Sequence, residues 1–172
     1  MKAELTDDQV HAKTSSFLSF KLADEHFAIP VMKIMEILEV PKITKVPQSP
    51  SFLIGVINLR GAVLPVIDTR VKFGMTPLDF TINTCILVVS IQANDEEIMV
   101  GALVDFVSEV FEFDELKIKP SPTIVTKFRS DYIRGMIQED DHFMMVLDID
   151  KVFSLDDLDS LTDTKELKTE EN

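Results

Sequence analysis

Two stretches of the chain, "FLIGVINLRGAVLPVIDTRVKF" (52–73) and "YIRGMIQEDDHFMMVLDIDKVF" (132–153), run in the same register. Phe52 and Tyr132 each stand three residues before a glycine, Gly55 and Gly135. Asp68 and Asp148 follow those glycines at one interval, and Phe73 and Phe153 follow the aspartates at another. Prolines precede both copies, in "PQSP" and "PSP", and a weaker echo links "ILEV" (37–40) to "VSEV" (107–110). This pattern reads as an internal duplication. Each unit is too small to bury a large core alone, so two lobes packed face to face are expected. The copies differ at their corners: Leu59-Arg60-Gly61 in the first, Glu139-Asp140-Asp141 in the second.

Between Phe17 and Phe153 the sequence reads as strands. "FLSFKL", "FAIPV", "IMEILEV", "GVINL", "AVLPVI", "CILVVSI", "EIMVGALV", "VSEVFEF" and "HFMMVLDI" are short and rich in Val, Ile and Phe, with polar, Pro- or Gly-bearing corners between them. The fold class is therefore mainly β, as barrels or a sandwich. Pro65, inside "AVLPVID", implies an edge position or a bulge, because proline cannot donate to a ladder. Asp68 stands where it would N-cap a short helical turn over "TRVKF". Leucines 155, 158 and 161 recur at helical spacing, so residues 154–172 read as an acidic amphipathic C-terminal helix and tail. Residues 1–14 read as a flexible N-terminal tail, leaving 15–153 as the folded domain.

With 17 basic and 30 acidic residues the net charge is −13, and no basic stripe offsets it, so nucleic acid is excluded as a partner. "MKAELTDDQVHAKTSS" has no apolar core of a signal peptide, and no apolar run reaches the roughly 18 residues of a membrane span. Cys85, the single cysteine, can form no internal disulfide. These features point to the cytoplasm without direct membrane insertion.

No catalytic constellation is visible in the sequence. His11, His26 and His142 fall in the N-terminal tail and two polar corners, without partners at metal-ligand spacing. Cys85 opens an apolar strand and has no histidine placed near it. "EDDH" (139–142) reads as a charged hairpin turn rather than an acid–base cluster. The acidic tail lacks the glycine of an EF-hand, and no glycine-rich phosphate loop or nucleophile elbow occurs. No metal, cofactor or enzyme activity is expected.

What remains is a binding surface. In "KIMEILEVPKITKVP" (33–47), Ile34, Met35, Ile37, Leu38, Val40, Ile43 and Val46 cannot all face one core if the strand alternates. Either two packed lobes bury both faces, or one face meets a partner. Glu36 is the single acid between Ile34 and Leu38, and Arg60 at the hairpin corner is a candidate partner for it.

"PSFLIGVINLRGAVLPVIDTRVKFG", with "VGALVDFVSEV" and "YIRGMI…MMVLDIDKVF", resembles the CheW family of bacterial chemotaxis coupling proteins over roughly residues 15 to 153. The Asn-Leu-Arg-Gly corner followed by Pro and Ile-Asp is the most specific part. The resemblance implies a pair of five-stranded SH3-like barrels on a shared hydrophobic core, and no enzyme activity. It implies two partners: the cytoplasmic tip of methyl-accepting chemoreceptors and the regulatory domain of the chemotaxis histidine kinase. Arg60, Glu36, Ile34, Gly55, Asn58 and Val110 match receptor-binding positions; Ile43 and Cys85 fall near the expected kinase contacts. The chain would be a monomer in isolation and would form rings with the kinase, in the cytoplasm, at membrane-associated receptor arrays. Thr69 stands where the family commonly has leucine, which should alter packing rather than binding. The alternatives are a β-barrel ligand-binding protein or enzyme reusing the scaffold, and a ring-forming structural protein without a signalling role.

Overall fold

The computed structural model describes residues 13–121 and 132–153; the expected C-terminal helix and most of the N-terminal tail lie outside them. Ten strands follow in order: β1 (Thr14–Leu22), β2 (Glu25–Pro30), β3 (Ile34–Glu39), β4 (Leu53–Leu59), β5 (Ala62–Asp68), β6 (Cys85–Ala93), β7 (Glu96–Val104), β8 (Phe106–Asp114), β9 (Ile133–Glu139) and β10 (His142–Leu147). Short helical turns α1 (Thr69–Lys72) and α2 (Ile149–Val152) follow β5 and β10. Asp68 caps α1 as expected, its carboxylate accepting from the Arg70 amide at 3.0 Å.

The strands form two five-stranded sheets, ordered β8-β1-β2-β10-β9 and β3-β6-β7-β5-β4. The duplication is thus visible as β1–β5 followed by β6–β10, but neither repeat closes on itself. Each donates its first hairpin to the sheet of the other. Connector length dictates this exchange. β1 pairs antiparallel with both β2 and β8, so a third strand of the same repeat beside β1 would run parallel to β2. Reaching its start would mean climbing back along six residues of β2, about 20 Å. Only Val31–Lys33 separate β2 from β3, a reach of about 14 Å. Between β7 and β8 stands Asp105 alone. Both connectors must cross to the other lobe.

Each lobe closes by one antiparallel bridge between its end strands. Thr44, downstream of β3, exchanges hydrogen bonds with Val56 of β4 at 2.9 and 2.8 Å. Lys119, downstream of β8, does the same with Met136 of β9 at 2.8 and 2.7 Å. Val56 and Met136 are equivalent positions of the duplication, one residue past Gly55 and Gly135.

Three apolar clusters result. Ile57, Leu64 and Val66 fill one barrel, and their repeat mates Ile137, Met144 and Val146 fill the other. Between the lobes lies the largest cluster, with Leu18, Phe20 and Phe27 of one lobe against Leu53, Leu87 and Val89 of the other. β6 explains why "CILVVSI" reads as a continuous apolar run: Ile86 and Val88 face their own barrel while Leu87 and Val89 face the shared core. Pro65 is neither on an edge strand nor in a bulge of its own. β5 lies between β4 and β7, but β7 pairs with it only from Val66 onward, so one side of Pro65 carries no ladder.

The echo between "ILEV" and "VSEV" lies on the corresponding strands, β3 and β8, but three residues out of register. Glu36 faces Val88 and Glu109 faces Ser19. Val88 and Ser19 in turn sit opposite Gly101 and Ala28, which border the equivalent Val66 and Val146. Glu36 therefore corresponds to Glu109, and Ile37 to Val110.

Candidate functional site

The β4–β5 corner is a two-residue turn with both central residues in the left-handed region, Arg60 at φ 49° and Gly61 at φ 86°. Such turns match the twist of the flanking strands, and glycine takes this backbone freely. Arg60 takes it because its neighbours hold it there. The Asn58 side chain accepts the Gly61 amide at 2.7 Å. The Arg60 guanidinium donates from Nη1 and Nη2 to the two oxygens of Glu36, at 3.2 and 2.6 Å. Arg60 is 74% exposed. The hydrogen bond to Glu36, and then its charge, raise the guanidinium pKa further above the ordinary arginine value.

Glu36 is aimed at this corner by an irregularity in β3. The register with β6 shifts between Ile34 and Glu36, where the intervening Met35 has no partner. The shift lets Ile34 pack on the shared core opposite Val89 while Glu36 turns to the barrel side opposite Val88. The Glu36–Arg60 fork thus straps β3 to the β4–β5 tip across the seam that Thr44 closes. On the other face of β3, Met35 is 57% and Ile37 48% exposed. One face of β3 remains in solvent.

The residues singled out from the sequence do not all share one surface. Arg60, Glu36 and Asn58 form the strap. Ile34 is half-buried against the shared core. Gly55 is buried: a Cβ there would lie 2.2 Å from the Thr44 carbonyl oxygen, and its place is under the closing bridge. Val110 belongs to the other lobe, on end strand β8, and is 60% exposed. Ile43 lies over Gly55 and packs on the barrel interior. Cys85 opens β6 between Glu39 and Val104, half-buried against the shared core. Burial pushes its thiol pKa up.

Two polar groupings escaped sequence reasoning because non-neighbouring strands create them. The His26 and His142 rings pack against each other, tilted by 40° with 4.7 Å between centroids, where β2 and β10 run side by side, and His142 lies 3.1 Å from Glu139 and 3.4 Å from Asp141. Arg70, only 1% exposed, is bound by Asp68 at 3.0 Å and Asp105 at 2.8 Å, and donates to the Leu78 carbonyl at 2.8 Å. Asp105 also accepts the Ala23 amide at 2.7 Å, so this cluster joins the lobes. The Asp68 hydrogen bonds outweigh burial and raise the Arg70 pKa. Among the described residues no group of three or more His, Cys, Asp or Glu is placed to hold a metal ion, and no helix is long and apolar enough to cross a membrane.

Residues 16–157 match the family described as CheW-like domain. Among curated proteins, the chemotaxis protein CheW of Klebsiella aerogenes is 32% identical over 142 residues, covering 83% of each chain. That of Rhizobium meliloti is 30% identical over 136 residues, covering 79% of this chain and 85% of its own. Among solved structures, the scaffolding protein TtCheW of Thermoanaerobacter tengcongensis superposes with a TM-score of 0.72 at 30% identity, covering 83% of this chain and 90% of that one.

Proposed function

The chain belongs to the CheW-like domain family of chemotaxis proteins, and from that premise we propose that it is a non-catalytic coupler between chemoreceptor tips and the regulatory domain of the chemotaxis histidine kinase. The observation that carries the receptor half is the forked Glu36–Arg60 strap on a strand that also exposes Met35 and Ile37. An amphipathic receptor helix presents apolar side chains at helical spacing with carboxylates or amides at their margin. Met35 and Ile37 receive the first, and the unshared N–H groups of Arg60 donate to the second. Glu36 holds the guanidinium in one orientation before docking, which lowers the ordering cost of association. Val110, on the other lobe, extends the same binding role to β8. Ile43 and Cys85, at the seam and the start of β6, supply the kinase side, and alternation with the kinase would build rings at the receptor array in the cytoplasm.

The bridge is tested by sedimentation of a receptor-tip fragment and a kinase regulatory domain, each with the purified protein and then all three together. Binding to each, and a ternary complex formed only when the coupler is present, is the expected result. Two fragments that cosediment equally without it contradict the reading.

A further inference from the structure

Two ion pairs tie the repeats together at corresponding places with their charges exchanged. Arg70 and Asp150 are equivalent positions of the duplication, in the turns that follow β5 and β10. Arg70 Nη1 donates to Asp105, on the connector after β7, at 2.8 Å. Asp150 receives Lys33, on the connector after β2, at 3.0 Å. Each carboxylate also accepts a backbone N–H at the end of the opposite lobe's first strand, Asp105 from Ala23 at 2.7 Å and Asp150 from Gln92 at 2.9 Å. One staple has its cation on the turn and its acid on the connector; the other has the reverse.

The apolar pattern at these seams scarcely distinguishes the repeats. Val66 faces Gly101 in one and Val146 faces Ala28 in the other, a difference of one methyl group. Because every repeat must donate its first hairpin elsewhere, the first repeats of two copies could exchange hairpins with each other, as could the second repeats. β5 would then lie beside β2 of the second copy, setting Arg70 against Lys33. β10 would lie beside β7, setting Asp150 against Asp105. Both contacts are like-charged, and one involves a guanidinium that is almost wholly buried.

We propose that the opposite polarity of the two staples is a pairing code, which keeps the first repeat with the second and suppresses hairpin-exchanged dimers between identical repeats. The test is the full chain carrying K33D and D150K together. This variant retains an opposite-charge pair at 33 and 150 and leaves Arg70–Asp105 untouched. Both staples now have the same polarity, so the homotypic contacts become complementary. Wild type, K33D/D150K and the uncharged K33A/D150A are unfolded in urea, refolded at high protein concentration and measured by analytical ultracentrifugation. The expected result is monomeric wild type and a dimer fraction raised about tenfold or more in K33D/D150K, since an exchanged dimer has four such contacts. K33A/D150A should fall well below it. A dimer fraction in K33D/D150K no higher than in wild type overturns the proposal. So does equal dimerisation of K33A/D150A, which would trace the effect to weakening alone. If K33D/D150K does not refold, K33E/D150R makes the same reversal with longer side chains and decides by the same criteria.

Discussion

Gly55 lies directly beneath the carbonyl of Thr44, so close that a Cβ at position 55 would stand 2.2 Å from that oxygen. The relation recurs in the other lobe, where a Cβ on Gly135 would stand 2.6 Å from the Lys119 carbonyl oxygen. In both places the closing bridge passes over a missing side chain. The atom in the way is backbone, which cannot rotate aside. Gly55→Ala should therefore destabilise the protein by about 2–3 kcal/mol, with Gly135→Ala similar. Urea denaturation checks this; an unchanged midpoint would show that the bridge can shift at little cost.

Thr69 offers a gain. Its hydroxyl is buried and has no hydrogen-bond partner among the described residues, while its repeat mate is the apolar Ile149. Replacing the hydroxyl by a methyl group removes an unsatisfied polar atom at nearly constant volume. Thr69→Val is expected to stabilise the fold by about 1 kcal/mol, read as a higher urea midpoint. A lower midpoint would contradict this account of the site.

The sequence showed the duplication because the residues that close each lobe are of special kinds: a glycine that must lack a side chain, an aspartate at the head of a turn, and aromatics on the shared core. It did not show which sheet each strand joins. That follows from two connectors too short to return, and short connectors look alike whether they turn back or cross over. The Arg60–Glu36 pair was legible as a lone cation at a corner and a lone acid in an apolar strand. The burial of Gly55 was not legible, because a family position gives no burial. The Arg70 cluster and the paired His26 and His142 were invisible, each assembled by strands far apart in the chain.

Cys85 makes stability depend on pH in a known direction. Burial raises its thiol pKa in the folded state, so the folded protein holds this proton more tightly than the unfolded chain. Its contribution is complete below the ordinary thiol value of about 8.5 and is lost as pH rises through the folded value. The stability difference between wild type and Cys85→Ala should be constant from about pH 6 to about pH 8 and shrink above about pH 9. A difference unchanged up to about pH 10 would show that the thiol ionises as freely in the folded state.

The receptor limb rests on Arg60, and its removal is the most direct test. Arg60 is exposed and packs on no core, so Arg60→Ala should leave the urea midpoint close to wild type. Isothermal titration of a receptor-tip fragment into wild type and Arg60→Ala, with the kinase regulatory domain titrated in parallel, separates the two surfaces. The account predicts receptor affinity weakened about tenfold or more and kinase affinity unchanged. Equal receptor affinity in the two proteins would contradict it, and the Glu36–Arg60 strap would then be a clasp on the barrel seam and nothing more.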